Sequence, residues 1–461
     1  MKSWLPDKSA LKRPRYRSLM EAIEDAIEDG RLHPGDQLPT HRELAFHLGL
    51  SVQTVSRAYT RLVEAGHIVG EVGRGSFVRN FADDGALPFP AQRAGGETLD
   101  LALLKPVVGD LHREAMRRAL REIASDLPDD ILSSFRAATI AGRHVEAVDS
   151  WLSNCGISRQ GRSVIAINGA TPAMTVALMS VAHGGDLIVT EAMGHHTLPA
   201  LCRSLGLRLH GLAMDSEGIM PDALEAVCRA DSVKALYIVP DSGPVSCAMG
   251  EERRREIVAV ARRHDISIIE NDAWGPLNAR AAPPLAAIAP ERCFYFTSLT
   301  KCLVPGLRVG FLAVPETAAA TARERHMVTN WMVTPLMHEI ATRWIEDGTA
   351  TALLDWQRAA LHERGEIARD VLGGLGVRIN RAELQAWLPA ADIGSEARLV
   401  ERAREAGVLV SPGSTFSIGP MASMPGVRIS LGLPDIGDLG HALRILRGLV
   451  AATGAEQSAL R

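Results

Sequence analysis

Ser298-Leu299-Thr300-Lys301-Cys302-Leu303-Val304-Pro305-Gly306-Leu307-Arg308-Val309-Gly310 joins two apolar runs, Phe294-Tyr295-Phe296 before it and Val309 to Val314 after it. Both runs read as buried strands. A lone ammonium between two such strands is costly to bury, so a lysine there needs a reason. Arg308 follows with Pro305 and Gly306 in between, a loop that folds a second cation back toward Lys301. Ser298 adds a hydroxyl. A lysine can attack an aldehyde and form a Schiff base. An arginine grips a phosphate with its planar fork. The trio therefore suits an aldehyde that carries a phosphate. A surface lysine in a turn is the other reading, and the loop alone does not separate the two.

The chain has 461 residues, 46% hydrophobic and 23% charged, which gives room for two or three domains and a large core. Net charge is −4, so any contact with nucleic acid must come from a local patch. The six cysteines, at 155, 202, 228, 247, 293 and 302, form no C-x-x-C pair and show no metal spacing with histidine. They read as reduced core thiols, and no metal site is expected. The start, Met1 to Asp7, lacks the apolar run of a signal peptide. No stretch of about 18 uncharged apolar residues appears. The expectation is a cytoplasmic protein without a membrane span.

Residues 1–80 have a pattern of their own. Leu19, Ile23, Ala26 and Ile27 recur at helical spacing, with Glu21, Glu24, Asp25 and Glu28 opposite, and Gly30 stops the run. After a turn at Pro34-Gly35, Thr40 and Glu43 form a capping box for a second helix. Ser51 caps a third helix, whose apolar face is Val55, Ala58, Tyr59, Leu62 and Val63. Ile68-Val69 and Gly73-Arg74-Gly75-Ser76-Phe77-Val78 read as a small hairpin. The order describes a winged helix-turn-helix. The third helix would enter the major groove with Gln53, Thr54 and Arg57. Arg42 is placed for a phosphate, and Arg74 for a phosphate or the minor groove. Twelve Lys and Arg stand against ten Asp and Glu in residues 1–79, and the acids gather on the first helix.

This segment resembles the GntR family of bacterial regulators. The residues that carry the resemblance are Gly30 to Pro39, Arg42-Glu43-Leu44-Ala45, Leu48 to Ser51, Thr54-Val55 and Gly73 to Val78. It implies binding to a double-stranded DNA operator, usually as a dimer, with Ser51 and Gly75 joining the DNA face. Val52 departs from the pattern, because many relatives carry arginine there.

Residues 81–97 mix Asp, Gly, Pro and Ala without periodicity and read as a linker. From residue 98 to 461, short apolar runs alternate with helical stretches, at Val164–Ile167, Leu187–Val189, Ala235–Val239, Ile266–Ile269, Phe294–Phe296 and Gly310–Val314. That alternation predicts an α/β domain, a mostly parallel sheet covered on both faces. Ligands in such sheets sit beyond the carboxyl ends of the strands. There the chain places Asn168-Gly169-Ala170-Thr171-Pro172, Glu191 to His196, Pro240 to Pro244, Glu270 to Trp274 and the lysine loop. The Gly169 turn opens a helix whose free N–H groups suit a phosphate. The cofactor that fits is pyridoxal 5′-phosphate.

From about Leu99 to Leu449 the chain resembles the fold-type I, class I/II aminotransferases, with a small C-terminal α+β domain. Joined to a GntR segment, it is similar to the MocR subfamily. The resemblance implies that Lys301 holds the cofactor and that Ser298, Arg308 and Gly169-Ala170-Thr171 hold its phosphate. Arg428, in Val427-Arg428-Ile429-Ser430, is the match for the arginine that grips an amino-acid carboxylate. Four positions depart from the family pattern. Asn271 stands where an aspartate faces the pyridine nitrogen, unless Asp272 does so in a shifted register. Trp274 replaces a tyrosine, His195 the stacking aromatic, and Ser242-Gly243-Pro244-Val245 an Asn-Pro-x-Gly turn. The anchors survive while the tuning groups change. The reading is a regulator that senses pyridoxal phosphate, an amine or an amino acid, as a homodimer. Two rivals remain: a working aminotransferase with an accessory DNA-binding domain, and a DNA-binding protein whose large domain holds no cofactor.

Overall fold

The computed structural model describes residues 12–28, 31–32, 36–64, 67–71, 75–78, 98–133, 140, 142–241, 243–277, 282–380, 383–419, 424–433 and 435–459. Arg74, the stretch 81–97 and Ser242 lie outside them. The chain separates into two compact units, Met1–Leu87 and Pro88–Arg461.

The first unit contains helices Arg15–Glu28, His41–Leu48 and Val52–Glu64 and a hairpin of Ile68–Glu71 with Gly75–Val78. The helical periodicity becomes one core, in which Leu19, Ile23, Leu44, Val55 and Leu62 are fully buried. The capping box forms as read. The Glu43 N–H donates to Thr40 Oγ1 at 3.3 Å, and the Thr40 N–H donates to Glu43 Oε2 at 2.9 Å. Gly49 ends that helix at φ 58°, a left-handed position natural to glycine. The Tyr59 hydroxyl donates to the Pro39 carbonyl at 2.8 Å and fixes the third helix against the entry to the second.

The second unit is built on a seven-stranded sheet. Its order is Arg162–Ile167, Gly310–Pro315, Cys293–Ser298, Ser267–Asp272, Val233–Ile238, Leu187–Glu191 and Arg208–Leu212. Only Gly310–Pro315 runs antiparallel to its neighbours. The remaining pairs are parallel. Both faces are covered, and so these strands read as continuous apolar runs. Phe294 and Phe296 face one core with Ile165, Leu312 and the Ala170–Val181 helix. Tyr295 faces the other, with Phe311, Trp151 and Trp344. Arg208–Leu212 is a strand that the periodicity missed. It lies at the sheet edge, and its Arg and His interrupt the apolar run.

A smaller three-stranded sheet, in the order Gln385–Pro389, Gly426–Ser430 and Ser411–Pro412, packs with helices Thr349–Leu372, Ile393–Glu405 and Ile436–Ala459. Leu99–Asp100 pairs with Val408–Leu409, so the chain enters the large unit along the small sheet's side. The approach is close at Gly432, where a Cβ would lie 1.8 Å from the Lys105 carbonyl oxygen. Gly373 has nothing within 4 Å of a Cβ and sits in right-handed helical geometry. Gly432→Ala should therefore destabilise the large unit by about 1–3 kcal/mol, and Gly373→Ala should not. Differential scanning calorimetry checks this: equal thermal midpoints for the two variants would contradict the packing described.

Candidate functional site

The carboxyl ends of the central strands open into a cavity of about 300 Å³. The strand Cys293–Ser298 delivers Ser298 at its last position. That residue also caps the short helix Leu299–Cys302, the Thr300 N–H donating to Ser298 Oγ at 3.2 Å. The helix turns Lys301 into the cavity. Its ammonium donates to the Leu104 carbonyl at 2.7 Å. Gly310 faces Ser298 across the antiparallel pair and Ile167 on its other side. That register brings the lysine loop beside the Gly169 turn. A Cβ on Gly169, at φ 94°, would meet the Arg308 guanidinium at 3.0 Å. Arg308 itself takes the left-handed conformation, φ 49°, and donates to the Asn168 carbonyl at 3.3 Å. Its side chain is exposed, at the mouth of the cavity.

From the small sheet comes Arg428, 4% exposed. Its guanidinium donates to the Ala102 carbonyl at 3.0 Å and to Ser411 Oγ at 3.2 Å, and lies 4.7 Å from the centre of the Phe416 ring. Its Nε is buried without a partner among the described residues. The cavity thus gathers Lys301, Arg308 and Arg428, and among the described residues no aspartate or glutamate lines it. Burial, then the charges of Arg428 and Arg308, push the Lys301 ammonium down to about 7. Burial also pulls Arg428 down to about 10. An anion in the cavity would meet positive charge that no acid among the described lining residues neutralises.

The structure resolves the register at 271 and 272. Asn271 lines the cavity. Its Nδ2 donates to the Tyr237 hydroxyl at 2.7 Å, and its Oδ1 accepts from the Ala273 N–H at 3.0 Å. Asp272 points to the other face of the strand, where it accepts from the Tyr295 hydroxyl and, at 3.1 Å, from the Gly275 N–H. Successive side chains on a strand face opposite ways, so Asp272 cannot serve the cavity. Trp274 and His195 line it, as do Gly243, Ala170 and Thr171. The His195 and His196 rings stack with centroids 4.7 Å apart. Burial holds both imidazoles neutral, His195 down to about 4 and His196 to about 2, with Lys301 and Arg428 adding to the effect.

Sequence reasoning gave no individual role to His196, Thr300, Gln385, Phe416 or Leu104, all at the cavity. Thr300 and His196 adjoin flagged residues, a signal that was available. Gln385 donates to the Gly243 carbonyl at 2.6 Å and ties the small sheet to the loop after Val233–Ile238. No local pattern marks it.

The residues fit pyridoxal 5′-phosphate. Lys301 offers an amine near neutrality for the aldehyde. Arg308 and the first turn of Ala170–Val181 offer donors for the phosphate, and Ser298 lines the same cavity with its hydroxyl donating to the Val309 carbonyl at 3.4 Å. Thr300 Oγ1, buried and without a partner among the described residues, is a further unclaimed donor. His195 and Asn271 line the same cavity.

The model for class I and II aminotransferases matches residues 118–446. The chain belongs to that family. Residues 15–78 match the model for bacterial regulatory proteins of the gntR family. Among curated relatives, the chain is 27% identical to the HTH-type transcriptional regulator YdeF of Bacillus subtilis, over 97% of both chains. It is 26% identical to the HTH-type transcriptional regulator TauR of Rhodobacter capsulatus, over 86% of this chain and 88% of TauR. It is 24% identical to the pyridoxine biosynthesis transcriptional regulator PdxR of Corynebacterium glutamicum, over 77% and 78%. Among solved structures, kynurenine aminotransferase from Pyrococcus horikoshii superposes with a TM-score of 0.70 at 20% identity, over 78% of this chain and 92% of its own. The α-aminoadipate aminotransferase LysN of Thermus thermophilus gives 0.69 at 21%, over 77% and 94%. These two share the fold.

The lysine makes a pH prediction. Below about 7 its amine is mostly protonated, so capture of pyridoxal phosphate should slow roughly tenfold per pH unit and level off above about pH 8. Arg428→Leu removes the larger neighbouring charge and should move that profile to higher pH. Stopped-flow absorbance of the forming chromophore reads both, and a profile that Arg428→Leu leaves in place would remove Arg428 as a cause.

Proposed function

We propose that this protein is a DNA-binding transcriptional regulator whose aminotransferase-like unit captures pyridoxal phosphate, alone or with an amine or amino acid. The observation that carries the reading is the pairing of a gntR-type segment with a cavity that keeps its anchors and has altered tuning groups. Lys301, Arg308 and Arg428 supply an amine and two anion grips. The residue at 271 is neutral and held by Tyr237. When bound, pyridoxal phosphate supplies an aldehyde and an electron-withdrawing ring. Asn271 cannot hold a proton on the ring nitrogen as a carboxylate would, which weakens that ring as an electron sink. Capture persists while turnover is slow.

Two internal acceptors give the capture a structural consequence. Lys301 is held by the Leu104 carbonyl and Arg428 by the Ala102 carbonyl. Both acceptors belong to the stretch that follows directly on the 81–97 linker in the sequence. A ligand that takes these two cations competes with that stretch, which is a route for a population shift. The DNA-contacting set is Arg42, Ser51, Gln53, Thr54, Arg57, Arg74 and Gly75, and the protein acts as a homodimer on an operator with two half-sites.

Duplex fragments enriched from a random pool by the full chain provide the test. Pyridoxal phosphate should change their retardation by wild type several-fold and leave Lys301→Ala unaffected. An equal response from Lys301→Ala would overturn the sensing claim. Asn271→Asp, given pyridoxal phosphate and a panel of amino acids, should release 2-oxo acid at least about tenfold faster than wild type. Equal rates would show that residue 271 does not limit turnover.

A further inference from the structure

The third helix of the DNA-binding unit begins with an apolar side chain in the open. Val52 is its first residue and is 47% exposed. The other apolar residues of its first three turns, Val55, Ala58 and Tyr59, are buried in the core. Val63, also exposed, stands at the far end of the helix, roughly 16 Å away at 1.5 Å per residue. Val52 is not among the residues of that core, and a β-branched residue there is not chosen for helix propensity.

The polar residues around it are engaged. Ser51 Oγ accepts from the Thr54 N–H at 3.1 Å and lies 2.8 Å from Thr54 Oγ1, so the two hydroxyls serve each other. The Arg57 guanidinium lies 4.2 Å from the centre of the Tyr16 ring. This stacking holds it against the first helix. At the start of the helix, Val52 and Gln53 are the exposed side chains not tied to such a contact among the described residues. In the major groove, the one apolar feature a base edge offers is the C5-methyl of thymine.

We infer that Val52 reads a thymine methyl, and that the operator half-site carries a fixed thymine opposite it. The inference rests on the DNA-binding reading above. Val52 is a specificity residue, and its methyls exclude water from the thymine methyl without any hydrogen bond. Gln53 beside it suits an adenine, through its N6 and N7.

Deoxyuridine differs from thymidine by that methyl alone, which makes the test selective. Full-length protein first enriches duplexes from a random pool. Each conserved thymine is then replaced singly by deoxyuridine. Wild type should lose about fourfold in affinity at one position, the worth of one buried methyl group. Val52→Ser should bind more weakly and be indifferent to deoxyuridine at that position. Val52→Arg should shift the selected base from thymine to guanine, whose O6 and N7 accept the arginine fork. Val52 is exposed, and an unchanged melting profile will show that the variants fold. The inference is overturned if wild type tolerates deoxyuridine everywhere within about twofold, or if Val52→Ser keeps the same penalty. A wild type that enriches no motif at all would sink the DNA-binding reading as well.

Discussion

Positive charge without a counter-charge is the constraint on which the large unit turns. Lys301, Arg308 and Arg428 line one cavity that, among the described residues, no aspartate or glutamate enters. A buried cation normally recruits a carboxylate, because the alternative is a large loss of hydration. Here Arg428 is left with a carbonyl, a hydroxyl and the face of Phe416. Such partners stabilise less than an anion would. The cost shows on the weakest base of the three. Burial first, and then the charges of Arg428 and Arg308, bring the Lys301 ammonium down to about 7, so that its amine is a nucleophile near neutrality. The same charge that disfavours the ammonium favours a ligand bearing a phosphate and a carboxylate. Affinity and reactivity arise from one arrangement.

The sheet makes that arrangement possible. Parallel strands bring their carboxyl ends to one edge. The antiparallel strand Gly310–Pro315 returns the chain so that Arg308 arrives beside the Gly169 turn. Glycine at 169 leaves the guanidinium its space. The small sheet then lowers Arg428 in from the other side, and Gln385 fastens that sheet to the Gly243 loop. This frame is the one the chain shares with class I and II aminotransferases. Asn271 is held by hydrogen bonds at both ends of its amide, with Tyr237 and Ala273. It is a well-positioned neutral group, and Asp272 is committed to the opposite face.

The DNA-binding unit is organised differently. Its side chains are positioned by local devices: a capping box, a left-handed glycine and a tyrosine that reaches one carbonyl. Such devices act over a few residues, so the helix order was legible in the sequence. The engagement of its polar residues was not. Ser51 caps the third helix as its position suggests, its Oγ accepting from the Thr54 N–H, but the Thr54 hydroxyl lies against Ser51 Oγ and Arg57 stacks on Tyr16 from a different helix.

The amino-acid sequence by itself determined the elements and their chemistry. Period-3.6 patterning, Thr40 with Glu43, and the apolar runs ending in polar turns are short-range signals, set by backbone geometry and capping. They sufficed for the winged helix-turn-helix, the covered sheet and the lysine loop. The tertiary structure alone decided which residues share the cavity. Gln385, Phe416 and Leu104 come from segments far apart in the chain, and nothing near them in sequence records their neighbours. It also decided between Asn271 and Asp272, because a one-residue shift in strand register exchanges the two faces of a sheet. Pairing with both neighbouring strands is what fixes that register.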